Sequence, residues 1–280
     1  MSMAYSLAEP KIKAVSYISQ LKLYTGCSGW SYNAWEERFY PKSHGSPKYL
    51  EYYSKIFDYA EIDSTFYGMP SRFMSIRWQT LTPDKFKFTA KLPRVITHEK
   101  LLDDVSGELE QFFEIMAALK GKLLALLIQL PPSIPAKEGI PKLEQVIPQL
   151  SANYRYALEV RHKSWFNPDV YKFLSKNNIC LTWSQLDTIQ TPPELTTDFI
   201  YLRFIGDRGG EESDLAKTQK EREREMKKWS ESVINVSDSV SFGVVAANNH
   251  YTGFAPDTVN LFRKQMDLPK LSWQERKNGK

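Results

Sequence analysis

Eight short strand-like runs recur along this chain, and helical spacing fills most of the gaps between them. No other feature constrains the fold as tightly, because strands that alternate with helices pair in parallel. The runs are Leu21–Ser28, the stretch containing Glu61–Tyr67, Phe86–Leu92, Leu123–Leu130, Tyr154–Arg161, Ile179–Trp183, Phe199–Phe204 and Ser239–Ala247. Residues 46–57 open on Ser46-Pro47 and place Tyr49, Leu50, Tyr53, Ile56 and Phe57 on one helical face. Further helices are expected at Ser71–Leu81, 107–119, Pro141–Leu150, Asp169–Lys176, 211–235 and Pro256–Met266. Eight such units close into an α/β, (β/α)8 TIM barrel. The connection Gln185–Asp198 carries Pro192-Pro193 and little helical spacing, so the helix between strands six and seven is expected to be reduced or missing. The expected organisation is an N-terminal extension at 1–20, one barrel domain at 21–268 and a basic tail at 269–280, with no repeat or low-complexity linker.

A length of 280 residues suits one such barrel. The net charge of +4 fits anionic ligands but is too weak by itself to point to nucleic acid. The run Glu211–Lys228 nearly balances acids and bases and reads as a solvated helix face. The apolar run Leu123–Ile128 is far too short to span a bilayer, and the first residues lack a signal-peptide pattern. Cys27 and Cys180 lie far apart and outside any CxxC, which is neither a disulfide framework nor a zinc site. A reduced, cytoplasmic compartment and no membrane partner are the expectations.

Read as a strand, Glu61-Ile-Asp-Ser-Thr-Phe-Tyr67 puts Glu61, Asp63 and Thr65 on one face and Ile62, Ser64 and Phe66 on the other. Carboxylates in a segment that looks buried are costly unless paired or functional. Barrel chemistry gathers where strands end and the following loops begin. That rule collects Ser28 and Trp30; Glu61, Asp63, Thr65 and Tyr67; Lys91, Arg94, Thr97 and His98; Gln129; Glu159, Arg161, His162 and Trp165; Trp183 and Asp187; Arg203 and Asp207; and Asn248, Asn249, His250 and Tyr251.

Among these, Glu61, Glu159 and His98 are the catalytic candidates, as general acid or base with a neighbouring cation setting the pKa. Lys91, Arg161 and Arg203 suit a planar anion such as phosphate or carboxylate. Trp30, Asp63, Thr65, Tyr67, Asn248, Asn249 and His250 complete the substrate-binding candidates. Each has a structural alternative: the glutamates can sit in a barrel-interior ion network, Thr97-His98 can be a loop hydrogen-bonding pair, and Asn248-Asn249-His250 can be a turn. Trp35, Tyr40, Phe66 and Trp165 can line a pocket or fill the core. Carboxylates and histidines on different strands can hold a divalent ion. There is, however, no HxH or HExxH, and no GxGxxG or GxxxxGK[ST], so no metal or other cofactor is expected. Gly206-Asp-Arg-Gly-Gly210 is loop-like, near where barrels often bind phosphate.

In order along the chain, these motifs resemble the YecE-like family, domain of unknown function 72. The resemblance rests on Thr25-Gly-Cys-Ser-Gly-Trp-Ser-Tyr32 with Trp35 and Phe39-Tyr-Pro41, on Glu61–Tyr67, Trp78, Phe86–Lys91 and Ile96-Thr-His98. It continues through Leu158–Trp165, Tyr201–Phe204 and Asn248–Ala255, covering about residues 21–266. It implies a TIM barrel and supplies no reaction. Two positions depart from the family pattern, which has Asn at Asp63 and reads Arg-x-His-Gly where this chain has Arg203-Phe-Ile-Gly206. Three readings follow. The leading one is a barrel enzyme acting by acid/base chemistry on a small phosphate-, carboxylate- or nucleotide-like anion. The others are a nucleic-acid-processing protein with a possible metal-dependent site, and a non-catalytic metabolite-binding barrel.

Overall fold

Nine strand segments form one sheet, and every pairing in it is parallel. The computed structural model describes residues 21–42, 45–206 and 221–273. The strands are β1 (Lys22–Ser28), β2 (Tyr59–Ile62), β3 (Lys87–Lys91), β4 (Leu123–Gln129), β5 (Tyr156–Glu159), β6 (Ile179–Leu181), β7 (Trp183–Gln185), β8 (Phe199–Phe204) and β9 (Phe242–Ala247). Their spatial order is β6-β5-β4-β3-β2-β1-β9-β8-β7. The two ends of that list are neighbours in sequence, separated only by Thr182. Thr182 still donates its N–H to Leu158 O at 2.9 Å, and then the chain leaves β5 and pairs with β8. One split strand thus joins the sheet's edges, and the eight expected runs make a (β/α)8-type barrel.

The helices are α1 (Tyr49–Ile56), α2 (Arg72–Leu81), α3 (Ser106–Met116), α4 (Ala136–Val146), α5 (Pro168–Lys176), α6 (Glu223–Asn235), α7 (Asn249–Thr252) and α8 (Ala255–Gln265). Alternating residues of the strands, among them Tyr24, Tyr59, Leu127, Cys180, Tyr201 and Val244, fill the barrel interior. The other faces pack on helices, with Trp183, Trp229, Val245 and Phe262 in the cluster that includes α6 and α8. Among the described residues no helix is long and apolar enough to cross a membrane.

Three local expectations are corrected, at strand two, at helix α4 and at the tail. Strand two ends at Ile62; Asp63 turns into the helical region and Ser64–Phe66 is a 3-10 turn, so the two-residue alternation does not run through Tyr67. Helix α4 starts at Ala136, five residues before the expected Pro141, which lies inside it. Residues 186–198 hold no helix, in keeping with the expected reduction there; of the expected helix 211–235 the described part begins at Glu223 after non-helical residues 221 and 222, and 207–220 lie outside the described residues. The extension 1–20 is likewise outside. The expected tail begins as docked chain: Leu271 exchanges two hydrogen bonds with the Asn260 side chain, and Trp273 packs on Phe39.

The β1–β2 seam shows how helices and sheet are tied together near the barrel mouth. A Cβ on Gly26 would lie 2.0 Å from Tyr59 O, so only glycine permits this approach. The buried Tyr53 hydroxyl of α1 enters the seam, accepting from Cys27 N–H at 2.7 Å and donating to Tyr59 O at 3.0 Å. Tyr53→Phe orphans both backbone groups. It is expected to lower unfolding free energy by about 1–3 kcal/mol in urea denaturation; a change below about 0.5 kcal/mol would show that the seam does not need the hydroxyl.

Candidate functional site

At the C-terminal end of the barrel three strands converge on one guanidinium. Arg203, on β8, is 4% exposed. Its Nε and Nη2 donate to the two oxygens of Glu61 at 2.9 and 2.6 Å, and its Nη1 donates to Glu159. Glu61 also accepts from Ser28 Oγ at 2.7 Å and from the Tyr201 hydroxyl at 2.5 Å. Below it, Thr89 Oγ1 lies 2.5 Å from the Tyr201 oxygen and 2.6 Å from the Tyr59 hydroxyl. Since Tyr201 gives its proton to Glu61, the chain runs Tyr59 to Thr89 to Tyr201 to Glu61. Every layer of this stack follows from strand periodicity, with Tyr59, Thr89 and Tyr201 two residues before Glu61, Lys91 and Arg203 on their strands.

Glu159 is held equally firmly. Arg161 Nε donates to it at 2.9 Å, and Arg161 Nη2 also reaches Gln129 Oε1 at 3.2 Å. Burial opposes ionisation of Glu159, but Arg203, Arg161 and Lys91 outweigh it and hold the carboxyl down at about 2. The guanidinium of Arg203 stays charged for the converse reason.

Lys91 is the cation left over. Its buried ammonium sits 3.4 Å from the centre of the Phe66 ring. Among the described residues it meets no hydrogen-bond acceptor, and no carboxylate lies within ion-pair distance of it. Buried Lys122 shows the ordinary solution: its ammonium donates to Gln79 O at 2.6 Å and Thr82 O at 2.7 Å. Burial first, and then the charge of Arg203, push the Lys91 pKa down to about 7. Asp63, partly buried at the end of β2, moves the other way. Burial and then the Glu61 charge raise it to about 6, against Arg203 and Lys91. Thr65 fastens this turn to β3, donating to Lys91 O at 2.6 Å or to Ile62 O at 3.0 Å.

The other expected residues are placed as follows. His98 Nδ1 pairs with Thr97 Oγ1 at 2.9 Å, and the ring stands edge-on to Phe66. Trp30 packs edge-on against Trp78. Tyr67 is 74% exposed, outside the ion network. Asn248 caps α7 through His250 N–H. Asn249 is buried and accepts from Trp35 Nε1 and Ala255 N–H, while its Nδ2 has no partner among the described residues. The anion-binding expectation for Arg203 meets a physical obstacle, because its bidentate face is already filled by Glu61. Trp35, Tyr40 and Trp165 are core rather than pocket wall, each fully buried. Asp207 and the rest of the loop after Gly206 lie outside the described residues. Phe66 as the partner of Lys91, and the Tyr59–Thr89–Tyr201 chain, went unnoticed in the sequence. Among the described residues no group of three metal-ligating side chains converges.

The family model described as "Protein of unknown function DUF72" matches residues 24–278. UPF0759 protein YecE of Escherichia coli K12 is 28% identical over 144 residues, 51% of this chain and 50% of that protein. UPF0759 protein YunF of Bacillus subtilis 168 is 29% identical over 157 residues, 54% of each. The matched chain spans about half the length of these curated relatives. A crystal structure of a DUF72 family protein from Thermotoga maritima MSB8 has a TM-score of 0.73 at 28% identity, covering 88% of this chain and 99% of that one.

The two displaced pKa values make stability depend on pH with a definite sign. The unfolded chain keeps the Lys91 proton up to its ordinary 10.5 and the folded chain loses it near 7, so the cost is full below about 7 and fades towards 10.5. For Asp63 the cost is absent below 3.8 and full above about 6. Lys91→Met is therefore expected to raise unfolding free energy at pH 6, on the order of 1–3 kcal/mol relative to its effect at pH 10. Asp63→Asn is expected to stabilise at pH 7 and not at pH 4. Chemical denaturation at these pH values reads both, and effects that do not change with pH would refute the assignment.

Proposed function

The chain belongs to the DUF72 family of proteins of unknown function, and we propose that it is a barrel enzyme that moves a proton on a small anionic ligand, with Lys91 as the exchanging group and Asp63 as its partner. The observation that carries this is the buried Lys91 amine, which among the described residues has neither hydrogen bond nor counter-ion, beside a network in which Glu61, Glu159 and Arg203 are mutually satisfied. A neutral amine in that position is a base whose lone pair is not engaged. The glutamates, the first candidates for this role, act instead by holding Arg203 and setting the local field.

The step is simple in balance. Lys91 Nζ, unprotonated, takes a proton from an acidic C–H or O–H of the ligand and becomes an ammonium. The new positive charge lies beside the anion formed, with Arg161 as the second cation. Asp63, whose carboxyl feels the Lys91 charge and is partly open to solvent, passes the proton onward. We place this chemistry in a reducing compartment, the cytoplasm, since Cys27 and Cys180 are free and buried.

The test is a panel of small phosphorylated and carboxylated metabolites incubated with the protein in deuterated water and followed by proton NMR. The wild type is expected to exchange a hydrogen on at least one of them, with a rate that rises with pH through about 7. Lys91→Met, folded by circular dichroism, is expected to lose about 100-fold or more of that rate. Full exchange by Lys91→Met, or no exchange on any ligand by the wild type, would overturn the proposal.

A further inference from the structure

Strand β7 does not lead into a helix. It leads into a tight turn in which Leu186 N–H donates to Ile189 O at 3.1 Å, Gln185 bridges Gln190, and Thr191 N–H donates to Ser184 O at 3.1 Å. This small hairpin forms one wall of a cavity of about 480 Å³, whose lining includes Pro132, Arg161, His162, Lys163, Leu186 and Ile189. The wall from the hairpin and Pro132 is largely apolar, and the residues following β5 make the polar wall.

That polar wall offers donors and lacks acids. Arg161 spends Nε and Nη2 on Glu159 and Gln129, and its Nη1 makes no hydrogen bond among the described residues. Ser164 N–H donates to His162 Nδ1 at 3.2 Å. Ser164 Oγ accepts from Ala136 N–H at 2.8 Å, so its own proton is free for the same nitrogen, 2.8 Å away. His162 Nδ1 is thus an acceptor, and the neutral imidazole carries its proton on Nε2, as a donor. Lys163 adds an ammonium. The one acid in the hairpin turn, Asp187, is paired with Arg222 at 2.5 Å. Where the hairpin starts, Ser184 Oγ and Thr191 Oγ1 are buried with no hydrogen-bond partner among the described residues.

Arg161 is shared. Its inner edge completes the Glu159 network and acts on the Lys91 titration, while its outer part lines the cavity. Resting on the proton-transfer reading above, we propose that this cavity is the subsite for the ligand's far end: a phosphate or carboxylate on Arg161, His162 and Lys163, carried on a flat apolar group that lies against Leu186, Ile189 and Pro132. Pockets of this kind, apolar walls with a few convergent polar groups, are where small ligands are held. The ligand class narrows accordingly, from any small anion to an anion borne on a ring or short hydrocarbon.

Isothermal titration calorimetry of the full chain at pH 7, with inorganic phosphate and phenyl phosphate as probes, tests this. The wild type is expected to bind phenyl phosphate about 10-fold or more tightly than inorganic phosphate, from burial of the ring. Ile189→Asp is expected to remove that advantage, with Leu186→Asp as the second variant, both side chains being partly exposed. Lys163→Glu is expected to weaken both probes about 3- to 10-fold by placing an acid in the cavity. Equal affinities in the wild type, no binding of phenyl phosphate, or an advantage that survives both aspartate variants would overturn the subsite. A Lys91→Met protein that keeps the advantage and full hydrogen exchange would refute the proton-transfer reading and support the subsite. A wild type that exchanges hydrogens and shows no advantage would refute the subsite alone.

Discussion

The Arg203 guanidinium, clamped between Glu61 and Glu159, is the interaction on which the rest of the barrel mouth depends. Two carboxylates buried at the ends of β2 and β5 would be prohibitively costly without it. Removing one partner of such a buried set typically costs about 3–5 kcal/mol, because the other charge is left unpaired. The clamp also links residues 61, 159 and 203, so it stitches opposite sides of the barrel together. Its consequence for chemistry is indirect. By satisfying both glutamates it leaves Lys91 without an ion-pair partner among the described residues, and an unpaired buried amine shifts towards neutrality.

Legibility from sequence followed periodicity. The alternation of strand-like and helical runs was enough for the barrel. One proline pair, Pro192-Pro193, and missing helical spacing at 185–198 mark the place where the structure has a hairpin and bare chain instead of a helix. Position two residues before each strand end was readable too, yet Tyr59, Thr89 and Tyr201 look like ordinary core in a linear string, and only the closed sheet brings their hydroxyls into one chain to Glu61. Sequence could gather Glu61, Glu159, Lys91, Arg161 and Arg203 at one end of the barrel. It could not say who pairs with whom, because pairing depends on which strands face one another across the lumen. That is why the sequence leaves Glu61 and Glu159 open between acid/base catalysis and an ion network, and the closed barrel is needed to show both of them paired with Arg203. The Asp63 turn was missed for a local reason: a backbone that leaves the strand at Ile62 ends the two-residue alternation.

The split strand joins fold and site. A chain that passes from β5 to β8 at Thr182 closes the barrel and sets Ser184 beside Arg203 in the register. It then enters the hairpin that walls the Arg161 cavity. The same short segment thus closes the sheet and shapes the rim. Asp63 adds a third carboxylate beside Glu61 and Glu159, and feels the charges of Arg203 and Lys91.

The most direct measurement is the titration of the Lys91 side chain itself, by carbon-detected NMR of protein labelled at lysine Cε, with the resonance assigned through Lys91→Arg. A midpoint near 7 is expected, far below the ordinary lysine value of 10.5. A midpoint close to 10.5 would mean that Lys91 is a permanently charged structural cation, and would contradict the proton-transfer role given to this site.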